Sequence, residues 1–321
     1  MARFMLNWGI MANIAPLIKC FINSVCAGKN NETPTAYEGK LRRFATWLGD
    51  RELTQLTQAD LDNFRIYLQN RKTKQKGRQE VKGGLSPHTI HSVLNTVRYF
   101  VKWCFDHGHL PSNLAAGWKI PIAPKPEPKA ISPENITRLI DAASQQSPAW
   151  ERARNVAMLY MLRDTGGRVS GLLNADLDNI NLTDARLTTT EKGKPRTLYL
   201  SEPTVAAIRE WLCYRHQVHP TDYKLFSGAR GNGISRSGVY HVLDRLAAAG
   251  HVAGRRNPHS FRHAFARDSL KNGADLSQVS QLMGHTSIVV TADYYARWDD
   301  KELQAVHHRC SPGRQLPDPV V

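Results

Sequence analysis

Three short segments in the second half of the chain hold most of the side chains that could do chemistry: TGGRVSGLL (165–173), HSFRHAFA (259–266) and LMGHTSIVVTADYY (282–295). They set cations beside small or turn-forming residues and end in a tyrosine pair, a combination suited to holding an anion next to a phenol that can act as a nucleophile. Each segment alone also admits a plainer reading. Arg168, after two glycines, could start a helix and join a surface ion pair. His259 and His263 share one helical face and would make half a zinc site, but no third ligand follows at helical spacing. Tyr294 and Tyr295 could be core or interface aromatics. The second half lacks a phosphate-cradling glycine loop, an H-E-x-x-H motif and a cluster of paired carboxylates, so ATP and metal chemistry start low and no cofactor or metal is expected.

Helices must position most of these groups. Ser132-Pro133-Glu134 is a cap-and-proline helix start, and a second helix is predicted over 151–163. Ile180 to Leu182, Arg186 to Thr190 and Pro195 to Leu200 read as short strands around a Lys-Gly-Lys turn, which implies a small antiparallel sheet. Helices are then predicted over 203–216, 237–249, 260–271, 275–283, 287–297 and 300–308, punctuated by Gly250, Gly273 and Gly284. In the first half, the segment around Leu17 to Phe21, an amphipathic run from Thr35, a helix capped by Thr57 and one opened by Ser86-Pro87 make a four-helix unit. Residues 119–129, KIPIAPKPEPK, carry four prolines and resist both helix and sheet. The expected organisation is therefore a helical domain over 1–118, a linker over 119–129, a second domain over 130–310 and a disordered tail over 311–321. The expected fold class is mainly α with a small antiparallel β-sheet, the second domain being α+β and the first a helical bundle.

Charge points to the partner. Lys and Arg total 43 against 28 acidic residues, a formal net charge of +15, and neutralising phosphates releases condensed counterions from a polyanion. Residues 1–128 carry 18 basic and 9 acidic side chains and the remainder 25 and 19. Both halves can therefore touch double-stranded DNA, and two basic domains on an extended linker suggest a clamp around a duplex. Candidate DNA contacts are Lys40 and Arg43 on the basic back of the Thr35 helix, Arg71, Lys72, Lys74, Lys76 and Arg78 in the loop that follows Asn70, and Lys194 in the later hairpin. Five widely spaced cysteines without a C-x-x-C pair suit a reducing cytoplasm. The apolar stretch Phe4 to Ile18 resembles a signal-peptide core, yet Asn7, Asn13 and Pro16 interrupt it and it is too short to cross a bilayer, so a packed first helix is the better expectation.

Taken together and in order, these segments resemble the tyrosine recombinase family of phage integrases, Xer-type chromosome resolvases and transposon integrases. That family's pattern is an arginine in a TGLRxSE-like turn, a lysine on a β-hairpin, H-x-x-R, then LGH followed nine residues later by tyrosine. Here it falls on Arg168, a lysine near 192, His259 with Arg262, and His285 with Tyr294; the spacing selects Tyr294 over Tyr295. The resemblance covers about residues 15–308, because the family's helical DNA-clamping domain also precedes its catalytic domain. It implies metal- and ATP-independent cleavage and rejoining of DNA through a 3′-phosphotyrosine. Arg168, Arg262 and His285 would then stabilise the charged phosphoryl transition state, His259 would assist proton transfer, and the hairpin lysine would protonate the departing 5′-hydroxyl.

The chain departs from the pattern twice. Where the family usually has an acid three residues after the first arginine, this chain has Gly171, so any buttress there must come from elsewhere or be absent. In the hairpin TTTEKGKPRTLYL, counting back from Arg196 puts Glu191 at the usual lysine position; Lys192 is the preferred catalytic lysine and Lys194 the alternative. The helix over 300–308 resembles the segment by which recombinase subunits grip each other, so a homo-oligomer, a tetramer on DNA, is expected. Two other readings stay open: a type IB topoisomerase-like enzyme that nicks and reseals, and a DNA-binding protein on the same scaffold that no longer cuts.

Overall fold

The structure is a computed structural model that describes residues 14–27, 32–71, 73–74, 80–81, 84–124, 130–191, 193–285, 287–295, 300, 304–305 and 307–308, with backbone only at 32, 73–74, 80–81, 290 and 293–295. Among the described residues helices dominate, and the chain divides into two compact units, Met1–Pro126 and Glu127–Val321.

The first unit holds α1 (Ala15–Val25), α2 (Glu32–Leu48), α3 (Gln58–Asn70) and α4 (Pro87–Asp106). Thr57 caps α3 in a reciprocal box with Asp60, and the Ser86 hydroxyl accepts the Thr89 amide at the start of α4. Apolar residues at helical spacing then meet in one core around Ile18, Phe21, Leu41, Phe44, Leu61, Phe64, Leu94, Val97 and Phe100. Phe21 meets Phe100 edge-on with ring centroids 5.5 Å apart, and Phe44 meets Phe64 at 5.1 Å. The basic stretch after Asn70 contains two short antiparallel strands, β1 (Thr73–Lys74) and β2 (Glu80–Val81), which reading it as an open loop did not anticipate. Lys72, Lys76 and Arg78 lie outside the described residues, as do 125–129 and the expected tail.

In the second unit, α5 (Pro133–Ser144) starts where the Ser132 hydroxyl caps Asn135, and α6 (Ala149–Asp164) buries residues on most of its circumference. A short α7 (Val169–Asn174) follows, then a three-stranded antiparallel sheet of β3 (Ile180–Asn181), β4 (Arg186–Glu191) and β5 (Lys194–Tyr199) in the order β3-β4-β5. Thereafter come α8 (Glu202–Tyr214), α9 (Arg236–Ala249), α10 (Pro258–Lys271), α11 (Leu276–Met283) and α12 (Ile288–Tyr295). The core joins Leu159 and Leu162 of α6 to Leu187 and Leu198 of the sheet, Ile208 and Trp211 of α8 and Phe261 of α10. Arg163 at the end of α6 pairs with Asp268 of α10 at 2.7 Å, which ties together the two helices whose ends carry the candidate residues. No helix of the described residues is long and apolar enough to cross a membrane.

Candidate active site

The end of α6 sets the position of Arg168. The Thr165 hydroxyl donates to the Met161 carbonyl and accepts the Gly167 amide, which closes the helix. Gly166 then turns into the left-handed region at φ +57°, and a Cβ there would lie 2.3 Å from Cδ1 of Phe265 on α10, so a side chain has neither conformation nor room. Arg168 follows as the residue preceding α7. Its side chain remains partly exposed, at 24%, while one edge is held from below by Glu191 at the end of β4. Arg168 Nη1 donates to Glu191 Oε2 at 2.5 Å and its backbone amide donates to Oε1 at 2.8 Å. Arg196 of β5 donates to Oε2 at 2.7 Å and, with its other amino group, to the Leu282 carbonyl. The pocket beside Gly171 is therefore occupied by a carboxylate brought from the hairpin.

Arg262 comes from a different element. It lies on α10, whose start is capped by the Asn257 side chain accepting the Ser260 amide, and it is buried at 6% exposure. Its guanidinium donates to the Gly166 carbonyl at 2.5 Å and to the Met283 carbonyl at 2.6 Å. One side chain thus staples the loop before Arg168 to the end of α11. The last carbonyls of α11, at Leu282 and Met283, are met by Arg196 and Arg262, a favourable charge at the negative end of a helix. Gly284, at φ +62°, ends that helix, and the His285 amide donates to the Ser280 carbonyl at 3.0 Å to close a Schellman-type turn. His285 is then fixed by a 2.7 Å hydrogen bond between Nδ1 and the hydroxyl of Thr291, which is fully buried on α12. When Thr291 donates, the imidazole proton sits on Nε2. Tyr294 lies in the same helix three residues past Thr291.

The electrostatics show that these groups share one neighbourhood. Desolvation first, then the charges of Arg262, Arg168, Arg196 and His263, press the His285 pKa down to about 4. His259 is shifted the same way by partial desolvation and by Arg236, Arg262 and Arg168. Burial alone would raise the Glu191 pKa, but the Arg168 amide and the guanidiniums of Arg196 and Arg168 outweigh it and hold the carboxyl below its ordinary value. At neutral pH the site is a nest of guanidiniums around two neutral imidazoles and one carboxylate, which is a receptor for an anion such as a phosphodiester.

Of the residues expected from sequence, Arg168, His259, Arg262 and His285 meet here. Lys192 lies outside the described residues. Lys194 is exposed and pairs across the ladder with Glu191, so it belongs to the site-facing side of the hairpin. Lys40 and Arg43 stand partly exposed on α2, where burial and Arg43 lower the Lys40 pKa, and Arg71 is partly exposed after α3. The described residues contain no group of three or more His, Cys, Asp or Glu placed to hold a metal ion. Sequence reasoning missed Glu191, Arg196 and Thr291 as parts of the site. A signal for the first existed: strand alternation puts residue 191 on the inward side with Leu187 and Thr189, an unusual place for an acid without cationic partners.

Comparison with known proteins bears on the family and the fold. Residues 129–302 match the model of the phage integrase family, and residues 18–108 match the N-terminal SAM-like domain of phage integrases. The tyrosine recombinase XerC of Alcanivorax borkumensis is 30% identical over 290 residues, covering 88% of this chain and 89% of that protein. Among solved structures, XerH site-specific recombinase bound to its difH substrate superposes with a TM-score of 0.70 at 18% identity, over 92% of this chain and 96% of that one. The Tn1549 transposon integrase in complex with a circular intermediate DNA gives 0.73 at 15% identity, over 92% and 99%. The structural likenesses speak to the fold, whereas the family match spans more than half of the chain and includes every segment from which the site is built. The chain belongs to the phage integrase family of tyrosine recombinases.

Proposed function

We propose that this recombinase acts on double-stranded DNA as a site-specific recombinase or integrase, assembled as a tetramer during strand exchange, with Tyr294 as nucleophile. One observation supports the reading best: side chains from three separated segments meet, Arg168 and Arg262 lying close enough to both His259 and His285 to lower the pKa of each imidazole, and the next helix carries Tyr294. In this reading the partly exposed Arg168, with Arg262 and the Nε2–H of His285, faces the non-bridging oxygens, where charge grows as the phosphorus is attacked. His259, neutral at pH 7, takes the phenol proton of Tyr294. The Tyr294 oxygen forms a bond to phosphorus, the bond from phosphorus to the 5′ oxygen breaks, and Lys192, with Lys194 as the alternative, protonates that oxygen. The DNA is left as a 3′-phosphotyrosine and a free 5′-hydroxyl. Attack by a 5′-hydroxyl of another strand reverses the step, with no net change in bond type and hence no need of ATP.

The helical domain over 1–118 supplies the other half of a DNA clamp in this reading, with Lys40, Arg43, Arg71, Lys72, Lys74, Lys76 and Arg78 as backbone contacts. A DNA substrate and an odd set of widely spaced cysteines support a location in the cytoplasm with the nucleoid. The test is covalent trapping. Wild-type and Tyr294→Phe proteins are incubated with nicked or genomic DNA fragments in EDTA and denatured in detergent, and DNA carried with protein is measured. The expected result is an adduct in wild type that disappears in Tyr294→Phe. An adduct that survives the substitution points to Tyr295. Binding without any adduct returns the protein to the non-cutting class.

A further inference from the structure

The acid that this chain lacks on α7 has a physical substitute on the neighbouring strand. Residue 171 is glycine, and a Cβ built there would lie 2.9 Å from both Cγ and Oε1 of Glu191 and 3.3 Å from its Cδ. The two positions therefore compete for one volume, and Glu191 holds it. Its carboxylate is 3% exposed and accepts three hydrogen bonds, from the amide and Nη1 of Arg168 and from Nη1 of Arg196. A buried carboxylate is tolerated only with such partners. Strand geometry explains its reach, since Leu187, Thr189 and Glu191 alternate onto the inward face, where Thr189 donates to the Gly171 carbonyl at 2.5 Å and holds β4 against α7.

We infer that Glu191 is the positioning residue of the site: from β4 it fixes the Arg168 guanidinium toward the scissile phosphate, and Gly171 is the cavity that lets it do so. The inference rests on the recombinase reading above. Glu191 touches no DNA in this account and acts through Arg168. It also bridges Arg168 to Arg196, so the hairpin, α7 and the end of α11 are set by a single carboxylate. A fixed donor aimed at a developing charge is worth far more than a mobile one, because no reorganisation is needed as the charge appears. An inward acid at this strand end also makes the lysine of the hairpin come from another position, Lys192 or Lys194.

The experiment exchanges the two positions. Glu191→Ala removes all three atoms that crowd residue 171, so Gly171→Glu, which clashes in the wild-type background, gains room in the double variant. Adduct formation on a nicked duplex is measured in a single turnover for wild type, E191A, E191Q, G171E and G171E/E191A, beside DNA affinity and melting temperature. E191A and E191Q are expected to form adduct on the order of 10 to 100 times more slowly with DNA affinity within about threefold of wild type. G171E melts lower than wild type, and G171E/E191A regains at least about tenfold of the rate that E191A lost. Wild-type rates in E191Q, or a folded double variant no faster than E191A, overturn the inference; should E191A fail to fold, E191Q alone decides it. A parallel set of melting curves for R168A, E191A and R168A/E191A reads the contact without catalysis. Non-additive losses support the pairing and additive ones overturn it, even if wild type forms no adduct and the recombinase reading itself falls.

Discussion

His285 sits where several positive groups converge, and that makes its protonation a reporter on the site. In the unfolded chain its pKa is near the ordinary 6.5, and in the folded protein it is about 4. Between those values the unfolded chain binds a proton that the folded chain refuses, so stability is full above pH 6.5 and falls as pH drops toward 4. His259 and His263 are displaced in the same direction and add to the effect. Discounted for solvent screening, His285 alone contributes about 1 kcal/mol between pH 7 and 5, or about 2–4 °C of melting temperature in a domain of this size. Thermal melting of His285→Gln should therefore show a shallower acid slope than wild type. An identical slope would mean that the imidazole is not pressed by Arg168, Arg196 and Arg262. Bound DNA should reverse the effect in wild type, because a phosphate neighbour favours the protonated ring.

At the scale of elements, the site is a meeting of ends. It takes the C-terminus of α6, the start of α7, the tip of the β4-β5 hairpin, the start of α10, the C-terminus of α11 and the helix α12. Ends can be joined tightly only where the backbone turns sharply, and Gly284 is such a place. A Cβ there would lie 3.1 Å from Nε and 3.2 Å from Cδ and Cζ of Arg196, on a backbone at φ +62°. Gly284→Ala should cost about 1–2 kcal/mol for the left-handed conformation. It should also push Arg196 away from the Leu282 carbonyl, lowering the melting temperature by several degrees and slowing adduct formation. A Gly284→Ala protein that melts and cleaves like wild type would show that the turn can relax without moving His285 or Arg196.

For the whole molecule, the surplus of positive charge is the property that counts. With a net charge of +15, DNA binding should weaken steeply with salt. An enzyme that contacts about 6–10 phosphates loses on the order of 10³–10⁵ in affinity between 50 and 200 mM salt. Titrating DNA affinity against salt concentration measures the number of contacts directly, and a flat plot would sink the clamp. Neutralising Lys40 and Arg43 together should lower the slope by about two without altering the cleavage rate of bound complexes, since both lie in the first unit and the candidate site lies in the second.

Local physics was readable along the chain. Thr57, Ser86 and Ser132 cap helices because a side-chain oxygen before an apolar run satisfies amides that the helix leaves open. Alternation and a Lys-Gly-Lys turn marked the hairpin, and a family's motif order singled out Arg168, His259, Arg262 and His285, which the fold brings together, and proposes Tyr294 beside them. The short helix α7 entered only as one that Arg168 could start, since its six residues carry too little periodicity to mark its extent. What only the tertiary structure decided is which charges meet. That Gly171 and Glu191, twenty positions apart, dispute one volume follows from the packing of α7 on β4. That Arg262 and Arg196 close the end of α11 follows from how three elements converge. Hydrogen bonds and excluded volume act over a few ångströms in space, and no spacing along a sequence records which distant groups the fold brings within that range.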